Sequence, residues 1–289
     1  MRQKPSKAQS LIYICHASAN DARQHWPASQ PPPTVQTSLS FSVTGSGPPL
    51  VILHGLFGSG TNWRRIADNL KHRWQVFTPD LPNHGKSPWV TNMSYPAQAQ
   101  AVAQFIQQHA LDQPVLLGHS MGGKTAMTVA LTTQVKLRAL VVADIAPVNY
   151  QHSHGPLVRA LQQLDLTNLT NRQQADQALA GDIPDQTLRQ FLLQNLELRN
   201  NALHWRLNLD AINTQIDSLS DFPEVMAPYD GPTLFVYGSR SNYIDATHTS
   251  TIKSLFPQSQ MYAIANAGHW LHAEQPEAFL SALGDFLSS

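Results

Sequence analysis

The stretch PVLLGHSMGGK, residues 114–124, is the most informative part of this chain. Its apolar first part predicts a buried strand over 114–118, and residues 121–133 have the pattern of a helix. Gly-His-Ser-Met-Gly therefore lies in a strand-to-helix turn, the context in which G-x-S-x-G forms a nucleophile elbow that exposes its serine, here Ser120. The two glycines omit side chains that would crowd so tight a turn. A glycine-rich turn without chemistry is the alternative.

Apolar strands and amphipathic helices alternate on both sides of this motif. Such alternation predicts a mostly parallel, doubly wound α/β sheet with helices on both faces, because strands buried on both sides are apolar throughout. The predicted strands are 50–53, 74–79, 114–118, 138–143, 233–238 and 260–264. The predicted helices are 62–70, 95–110, 121–133, 246–256 and 276–287.

Residues 149–230 interrupt this alternation and contain no good strand pattern. In such sheets ligands bind at the carboxyl ends of the strands, so an insertion there predicts a helical cap over the site. The predicted core is 39–148 and 231–289, and the proline-rich residues 1–38 are expected to form a disordered extension. The helical patterns of the cap fall at 155–165, 171–180 and 185–198, with a less regular one at 202–219.

The composition of the chain limits the classes of partner. The chain has 289 residues, with 19 Lys plus Arg against 19 Asp plus Glu, so its formal net charge is zero. A neutral chain carries no electrostatic signature for nucleic acid or an anionic membrane, and no apolar run approaches the ~20 residues of a membrane span. Cys15 is the single cysteine, which excludes an internal disulfide framework. These limits favour a globular protein that acts on a small molecule.

The first residues contain a weak signal-peptide pattern. Basic residues precede the apolar run 11–15, and the Ala-Ser-Ala segment at 17–19 resembles a cleavage site. The apolar run is shorter than the ~7–15 residues of a signal sequence. We therefore expect a cytoplasmic protein, with export or organelle targeting through residues 1–20 as the alternative.

A serine hydroxyl needs a base to become a nucleophile. His269 follows the predicted strand 260–264 and precedes the last helix, so it is expected at the same edge of the sheet as Ser120. A serine followed by a histidine near the C-terminus is the chain order expected for a nucleophile elbow. His272 is the nearest competitor, but its position suits the start of the helix.

The sequence offers two candidates for the acid that would orient the imidazole. The commoner place is the loop at 238–243, which follows a predicted strand but contains no acid, and Asp245 falls at the start of the next helix. Asp144 ends a buried strand, where a carboxylate needs a partner to offset its desolvation. We therefore prefer Asp144, keep Asp245 as the alternative, and expect Ser241 to hydrogen-bond in the same network.

Two backbone N–H groups would bind the oxyanion that forms during such a reaction. One belongs to the residue after the nucleophile, Met121, and the other to the loop after strand 50–53, where we choose Leu56. The sequence has no glycine-rich phosphate loop, and His152 and His154 lack a third ligand at useful spacing. We therefore expect no metal site and no glycine-rich nucleotide site.

Five segments carry a family resemblance: HGLFGS (54–59), DLPNHGKSP (80–88), GHSMGGK (118–124), DIAPVNY (144–150) and AGHWLHAEQP (267–276). Together they resemble the α/β-hydrolase superfamily, and most closely its branch of YbfF-type esterases with ABHD11-like relatives. The resemblance implies an α/β-hydrolase fold with a small helical cap inserted after the sixth strand. It also implies an acid after that strand, which matches Asp144, a preference for short-to-medium acyl esters or thioesters, and no cofactor.

These inferences predict a serine hydrolase that cleaves carboxylic esters of short-to-medium chain length, or thioesters, through an acyl-enzyme on Ser120. A perhydrolase, a C–C bond hydrolase or a menaquinone-pathway lyase would use the same three side chains. A non-catalytic ligand-binding protein of the same fold is the alternative from another class. The oligomeric state is not readable from the sequence.

Overall fold

The computed structural model describes residues 38–151, 154–225 and 227–288, so the predicted extension lies outside the described residues except for Ser38. The strands of the described part are β1 (Phe41–Thr44), β2 (Pro49–Leu53), β3 (Gln75–Pro79), β4 (Val115–His119), β5 (Ala139–Ala143), β6 (Leu196–Arg199), β7 (Ala202–Trp205), β8 (Thr233–Gly238) and β9 (Ser259–Ile264). Its helices are α1 (Arg64–Leu70), α2 (Tyr95–Gln108), α3 (Met121–Thr132), α4 (Gly155–Gln163), α5 (Arg172–Leu179), α6 (Gln186–Leu193), α7 (Leu209–Thr214), α8 (Ile216–Ser220), α9 (Thr249–Leu255), α10 (Leu271–Glu274) and α11 (Pro276–Ser288). Short 3-10 turns at Gly60–Trp63 and Ala246–His248 precede α1 and α9.

Most of the strands form one seven-stranded sheet in the order β1-β3-β2-β4-β5-β8-β9. β1 runs antiparallel to β3, and the other neighbouring pairs are parallel, as predicted. The six predicted strands correspond to the six parallel ones, each within one residue at either end. β1 was not predicted, because an edge strand of 4 residues with mostly exposed side chains contains no buried apolar run.

Alternate residues of the central strands enter two separate apolar cores. In β2, Leu50 and Ile52 belong to one core, Val51 and Leu53 belong to the other, and all four are fully buried. The first core includes residues of α1 and α11, and the second includes residues of α2, α3 and the insertion between β5 and β8. This cover on both faces is the physical reason that the strands are apolar throughout.

The strand order changes direction between β2 and β4. β3 pairs with β2 on one side, whereas β4 pairs with β2 on the other side. The loops that leave β2 and β4 therefore separate and form a crevice at the carboxyl edge, where sheets of this kind bind ligands. The Ser120 turn follows β4 and the loop 54–59 follows β2, so both border this crevice.

The segment predicted as the cap, residues 149–230, lies between β5 and β8, and we keep this name for it. Its expected all-helical structure is wrong, because β6 and β7 form an antiparallel hairpin within it. The predicted helix over 185–198 ends at Leu193, and the pattern over 202–219 begins as a strand and becomes helical only at Leu209.

The sequence of this hairpin contains a signal that the helical prediction did not use. Asn200 and Asn201 adopt φ values of 50° and 61°, the left-handed conformation that a two-residue hairpin loop requires and that asparagine tolerates. The segments on either side, Leu-Glu-Leu-Arg and Ala-Leu-His-Trp, place apolar side chains at alternate positions. Leu196 pairs with Trp205 and Leu198 with Leu203 across the strands. Period-two alternation around Asn-Asn was the available signal for a hairpin.

Candidate active site

Ser120 occupies a strained turn between β4 and α3. Its φ of 52° and ψ of −119° lie outside the regions that L-residues prefer. A Cβ atom on Gly118 would lie 2.1 Å from the Gly122 carbonyl oxygen, and one on Gly122 would lie 2.5 Å from the His54 carbonyl oxygen. Both glycines of the motif are therefore required by close backbone approach, which lets the loop after β2 pack against the serine turn.

Asp144 and His269 meet at the carboxyl edge of the sheet. Asp144 directly follows β5 and is 0% exposed, and its Oδ2 accepts a hydrogen bond of 2.7 Å from His269 Nδ1. The same oxygen accepts a 2.5 Å bond from Ser241 Oγ, and Oδ1 accepts a 3.0 Å bond from the Gly238 N–H. Three donors thus offset the desolvation of this buried carboxylate.

The surroundings of His269 hold its ring in one orientation. Its ring stacks on Tyr243, with centroids 4.0 Å apart and planes inclined by 24°. The Asp144 carboxylate can only accept, so Nδ1 carries the proton in the neutral ring and Nε2 is left as the basic atom. The buried His119 Nε2 donates to the His269 carbonyl oxygen at 2.8 Å, and burial lowers the pKa of His119 well below its usual value.

The structure brings Asp144, and not Asp245, to His269. Asp245 caps the 3-10 turn before α9, where its Oδ1 accepts a 2.8 Å bond from the Thr247 N–H. Its side chain is 55% exposed and lies 3.5 Å from His248 Nδ1. Asp245 therefore satisfies a helix N-terminus, a common role for an acid in this position.

The loop after β2 is ordered by a buried imidazole. His54 Nε2 accepts a 2.8 Å bond from the Leu81 N–H, and Nδ1 donates to the Gly55 carbonyl oxygen at 2.9 Å. Burial lowers the pKa of His54 to about 4, so the ring is neutral at physiological pH. This loop carries Leu56, which borders a small cavity together with Ser120 and Met121. The Met121 N–H belongs to the first turn of α3, where N–H groups have no intrahelical partner.

Ser120 and His269 open onto one cavity of about 240 Å³ between the core and the cap. Besides His269, the core histidines His54, His119 and His272 and the cap histidine His154 lie along its wall. The remaining wall is mainly apolar, as in most small-molecule sites. The apolar side chains of this wall include Leu56, Phe57, Trp63, Leu157, Leu188, Phe191, Tyr243 and Trp270.

Sequence reasoning missed Tyr243, which stacks on His269 and borders the cavity. The loop 238–243 was assessed only as a place for the acid of the site. A single aromatic residue in a loop belongs to no periodic pattern. Within the described parts of the chain, no three His, Cys, Asp or Glu side chains are grouped to hold a metal ion. His152, one of the two histidines considered for a metal, lies outside these parts.

The chain matches the family model of the alpha/beta hydrolase fold over residues 48–276, and it therefore belongs to this family. It is 41% identical over 251 residues to the sn-1-specific diacylglycerol lipase ABHD11 of Xenopus laevis, covering 84% of this chain and 80% of the relative. It is 33% identical over 241 residues to esterase YbfF of Escherichia coli (strain K12), covering 83% of this chain and 93% of the relative. A solved structure of a marine microorganism esterase superposes with a TM-score of 0.84 at 38% identity, covering 86% of this chain and 99% of that chain.

These likenesses confirm the predicted fold class and the resemblance to the YbfF-type branch. They also confirm the predicted class of enzyme, a hydrolase of the carboxylesterase type.

Proposed function

We propose that this protein hydrolyses carboxylic esters with short-to-medium acyl chains through an acyl-enzyme on Ser120. The observation that carries this proposal is the 2.7 Å contact between His269 Nδ1 and Asp144 Oδ2 beside a cavity that Ser120 also borders. A histidine held in this tautomer by a buried carboxylate is the general base of serine hydrolases.

In the first half of the reaction, Ser120 Oγ attacks the ester carbonyl carbon while its proton passes to His269 Nε2. The carbonyl electrons move to oxygen, and the N–H groups of Leu56 and Met121 bind the oxyanion. The carbon–alkoxy bond then breaks, and the leaving alcohol takes the proton from His269. Asp144 stabilises the imidazolium in between and stays ionised.

In the second half, water attacks the acyl-enzyme and gives one proton to His269 Nε2. Collapse of the second tetrahedral intermediate breaks the bond to Ser120 Oγ, which regains the proton. The carboxylic acid leaves, and the free enzyme is restored. Each bond that forms is matched by one that breaks, so the chain needs no co-reactant besides water for this reaction.

The size and lining of the cavity support the choice of acyl group. A volume of about 240 Å³ falls just below the ~300 Å³ lower range for drug-sized ligands. The apolar wall suits an alkyl chain, and the names of the relatives, a diacylglycerol lipase and an esterase, point to uncharged ester substrates. Acyl thioesters contain the same reacting carbonyl and belong to the same proposal.

The proposal is tested with p-nitrophenyl acetate, butyrate, hexanoate, octanoate and decanoate, and with acyl-CoA thioesters of matching length. Ser120→Ala is expected to lower kcat by about 10³-fold or more, since the nucleophile is lost. Ser254→Ala is the matched control, because this hydroxyl is exposed and bonds only within α9. Turnover that survives Ser120→Ala unchanged, or a wild-type chain that binds esters without turning them over, would overturn the proposal.

Two further expectations belong to this proposal. The zero net charge supports a small-molecule substrate rather than nucleic acid. Among the described residues, no helix is both long and apolar enough to cross a membrane. The cytoplasmic location stays a prediction, since it depends on residues 1–20, which lie outside the described residues.

A further inference from the structure

Lys124 is a buried lysine that the proposed reaction does not use. It lies one helical turn after Ser120 in α3, and only 1% of it is exposed. Its Nζ donates three hydrogen bonds to backbone carbonyl oxygens: 2.9 Å to Val148, 2.8 Å to Ser220 and 2.7 Å to Asp221. All three N–H donors of the ammonium are therefore used within the protein.

The three acceptors lie at both ends of the cap. Val148 belongs to the segment in which the chain leaves the core after β5, and Ser220 and Asp221 to the segment in which it returns towards β8. These two segments also pair directly, since the Tyr150 N–H donates to the Ser220 carbonyl oxygen at 2.9 Å. One ammonium thus joins these two segments, which we call the hinges of the cap, to α3, the helix that begins at the serine turn.

The cost of burying this charge is partly offset by nearby groups. Burial lowers the pKa of Lys124 to about 7, and the charge of Asp221 opposes that shift. The ammonium also lies over two aromatic rings, 4.8 Å from the Tyr150 centroid and 5.7 Å from the Tyr95 centroid. Loss of the lysine would leave three carbonyl groups without this donor at a point where the cap meets the core.

We infer that Lys124 is a positioning residue that fixes the cap over Ser120 and so determines how well the enzyme binds acyl chains long enough to reach the cap. This inference rests on the proposed esterase function. Cap residues Leu157, Leu188 and Phe191 form part of the cavity wall. A cap released at both hinges loses its fixed distance from the serine, and the contacts of long acyl chains weaken while the reacting groups of the core stay in place.

Kinetics of Lys124→Met on two esters test this inference. The variant removes the charge at similar chain length. We expect KM for p-nitrophenyl hexanoate to rise about tenfold, whereas kcat/KM for the acetate, whose acyl chain is the shortest of the series, changes less than about threefold. Lys253→Met is the matched control, because Lys253 Nζ also donates to a backbone carbonyl oxygen, that of Ser259, but outside the cap. The control should affect neither ester.

The outcomes are distinct. Equal losses on both esters, or no loss on either, would overturn the role of Lys124. A wild-type chain that is inactive on every ester would instead overturn the proposed function. In that case, or if Lys124→Met fails to fold, amide hydrogen exchange of the wild-type protein tests whether the two ends of the cap are held against the core.

Hydrogen exchange needs no substrate and no variant. If Lys124 clamps the hinges, the Tyr150 amide, bonded to Ser220, should exchange as slowly as the amides of β4. It should also exchange roughly tenfold or more slowly than amides of α5 in the outer cap. Exchange at Tyr150 as fast as in α5 would show that the hinges open independently of the core and would overturn the inference.

Discussion

At the scale of single residues, the proposed nucleophile and its proposed acid both carry backbone strain. Ser120 and Asp144 each follow the last residue of a parallel strand, and both have φ of 52°. Their N–H groups continue the sheet hydrogen bonding, since Ser120 donates to the Ala143 carbonyl oxygen and Asp144 to that of Val236. Such conformations cost about 1–3 kcal/mol each and persist only where the surroundings enforce them. Here the neighbouring strands do so.

The choice between the two acids gives a prediction at this scale. Asp144→Asn should lower kcat by about 10³–10⁴-fold, because an amide cannot hold the His269 tautomer or stabilise its imidazolium. Asp245→Asn is the control and should stay close to wild type, since this residue caps an exposed turn. Steady-state kinetics with p-nitrophenyl butyrate, together with thermal unfolding of both variants, measure the difference. A larger loss from Asp245→Asn would reverse the assignment.

At the scale of elements, polar contacts join the cap to the loops that follow β2 and β3. Asn195 follows α6 and is buried, and its Nδ2 donates to the Phe57 carbonyl oxygen at 2.7 Å. The Asn208 N–H, just before α7, donates to the Asn83 carbonyl oxygen at 3.0 Å. These bonds place the cap helices over the serine, so the cap determines the shape of the cavity while the sheet determines the reacting groups.

Substitutions in the cap should therefore change the preference of the enzyme for acyl-chain length. Phe191 of α6 borders the cavity, and its ring lies 5.6 Å from that of Trp270 beside His269. Phe191→Ala should enlarge the cavity and raise the ratio of kcat/KM for the decanoate over the butyrate by about tenfold. Leu169→Ala, also in the cap but outside the cavity wall, is the control. An unchanged ratio in Phe191→Ala would show that acyl chains do not pass this side chain.

At the scale of the whole molecule, the chain buries several histidines as neutral rings. Burial lowers the pKa of His54 to about 4 and those of His84 and His272 to about 3. His272 stacks on Trp63 with centroids 4.1 Å apart, so its ring is part of the core packing. In the unfolded chain such imidazoles take up protons below about pH 6.5. The unfolded state therefore binds more protons than the native state between about pH 6.5 and 4.

The free energy of unfolding should consequently fall as the pH drops from 7 to 5. Each buried imidazole contributes up to about 1.4 kcal/mol per pH unit over this interval. Urea unfolding at pH 7, 6 and 5 measures the slope, and His54→Gln should make it shallower by about one proton. His72→Gln is the control, because this side chain is exposed in the native state. A free energy of unfolding that is constant over this range would contradict the neutral burial of these rings.

The sequence by itself determined the parallel strands, the turn that holds Ser120 and the place of His269 after the last strand. These features follow from local rules. Apolar runs are typical of strands buried on both faces, and close packing at the serine turn admits only glycine two residues before and two residues after the serine. The hairpin of the cap was equally local, but its short alternating segments resembled an irregular helix.

Only the tertiary structure decided which side chains meet. Asp144 and His269 are 125 residues apart in sequence, and the pairing of β5, β8 and β9 brings their side chains within 2.7 Å. Burial argued for Asp144 in advance, but no local pattern could exclude Asp245 as the partner of His269. The contacts of Lys124 could not be predicted from the sequence either. Its three acceptors are backbone carbonyl groups, which every residue carries and which no sequence pattern marks. Local periodicity thus determines the elements, whereas contacts between distant residues depend on how those elements pack.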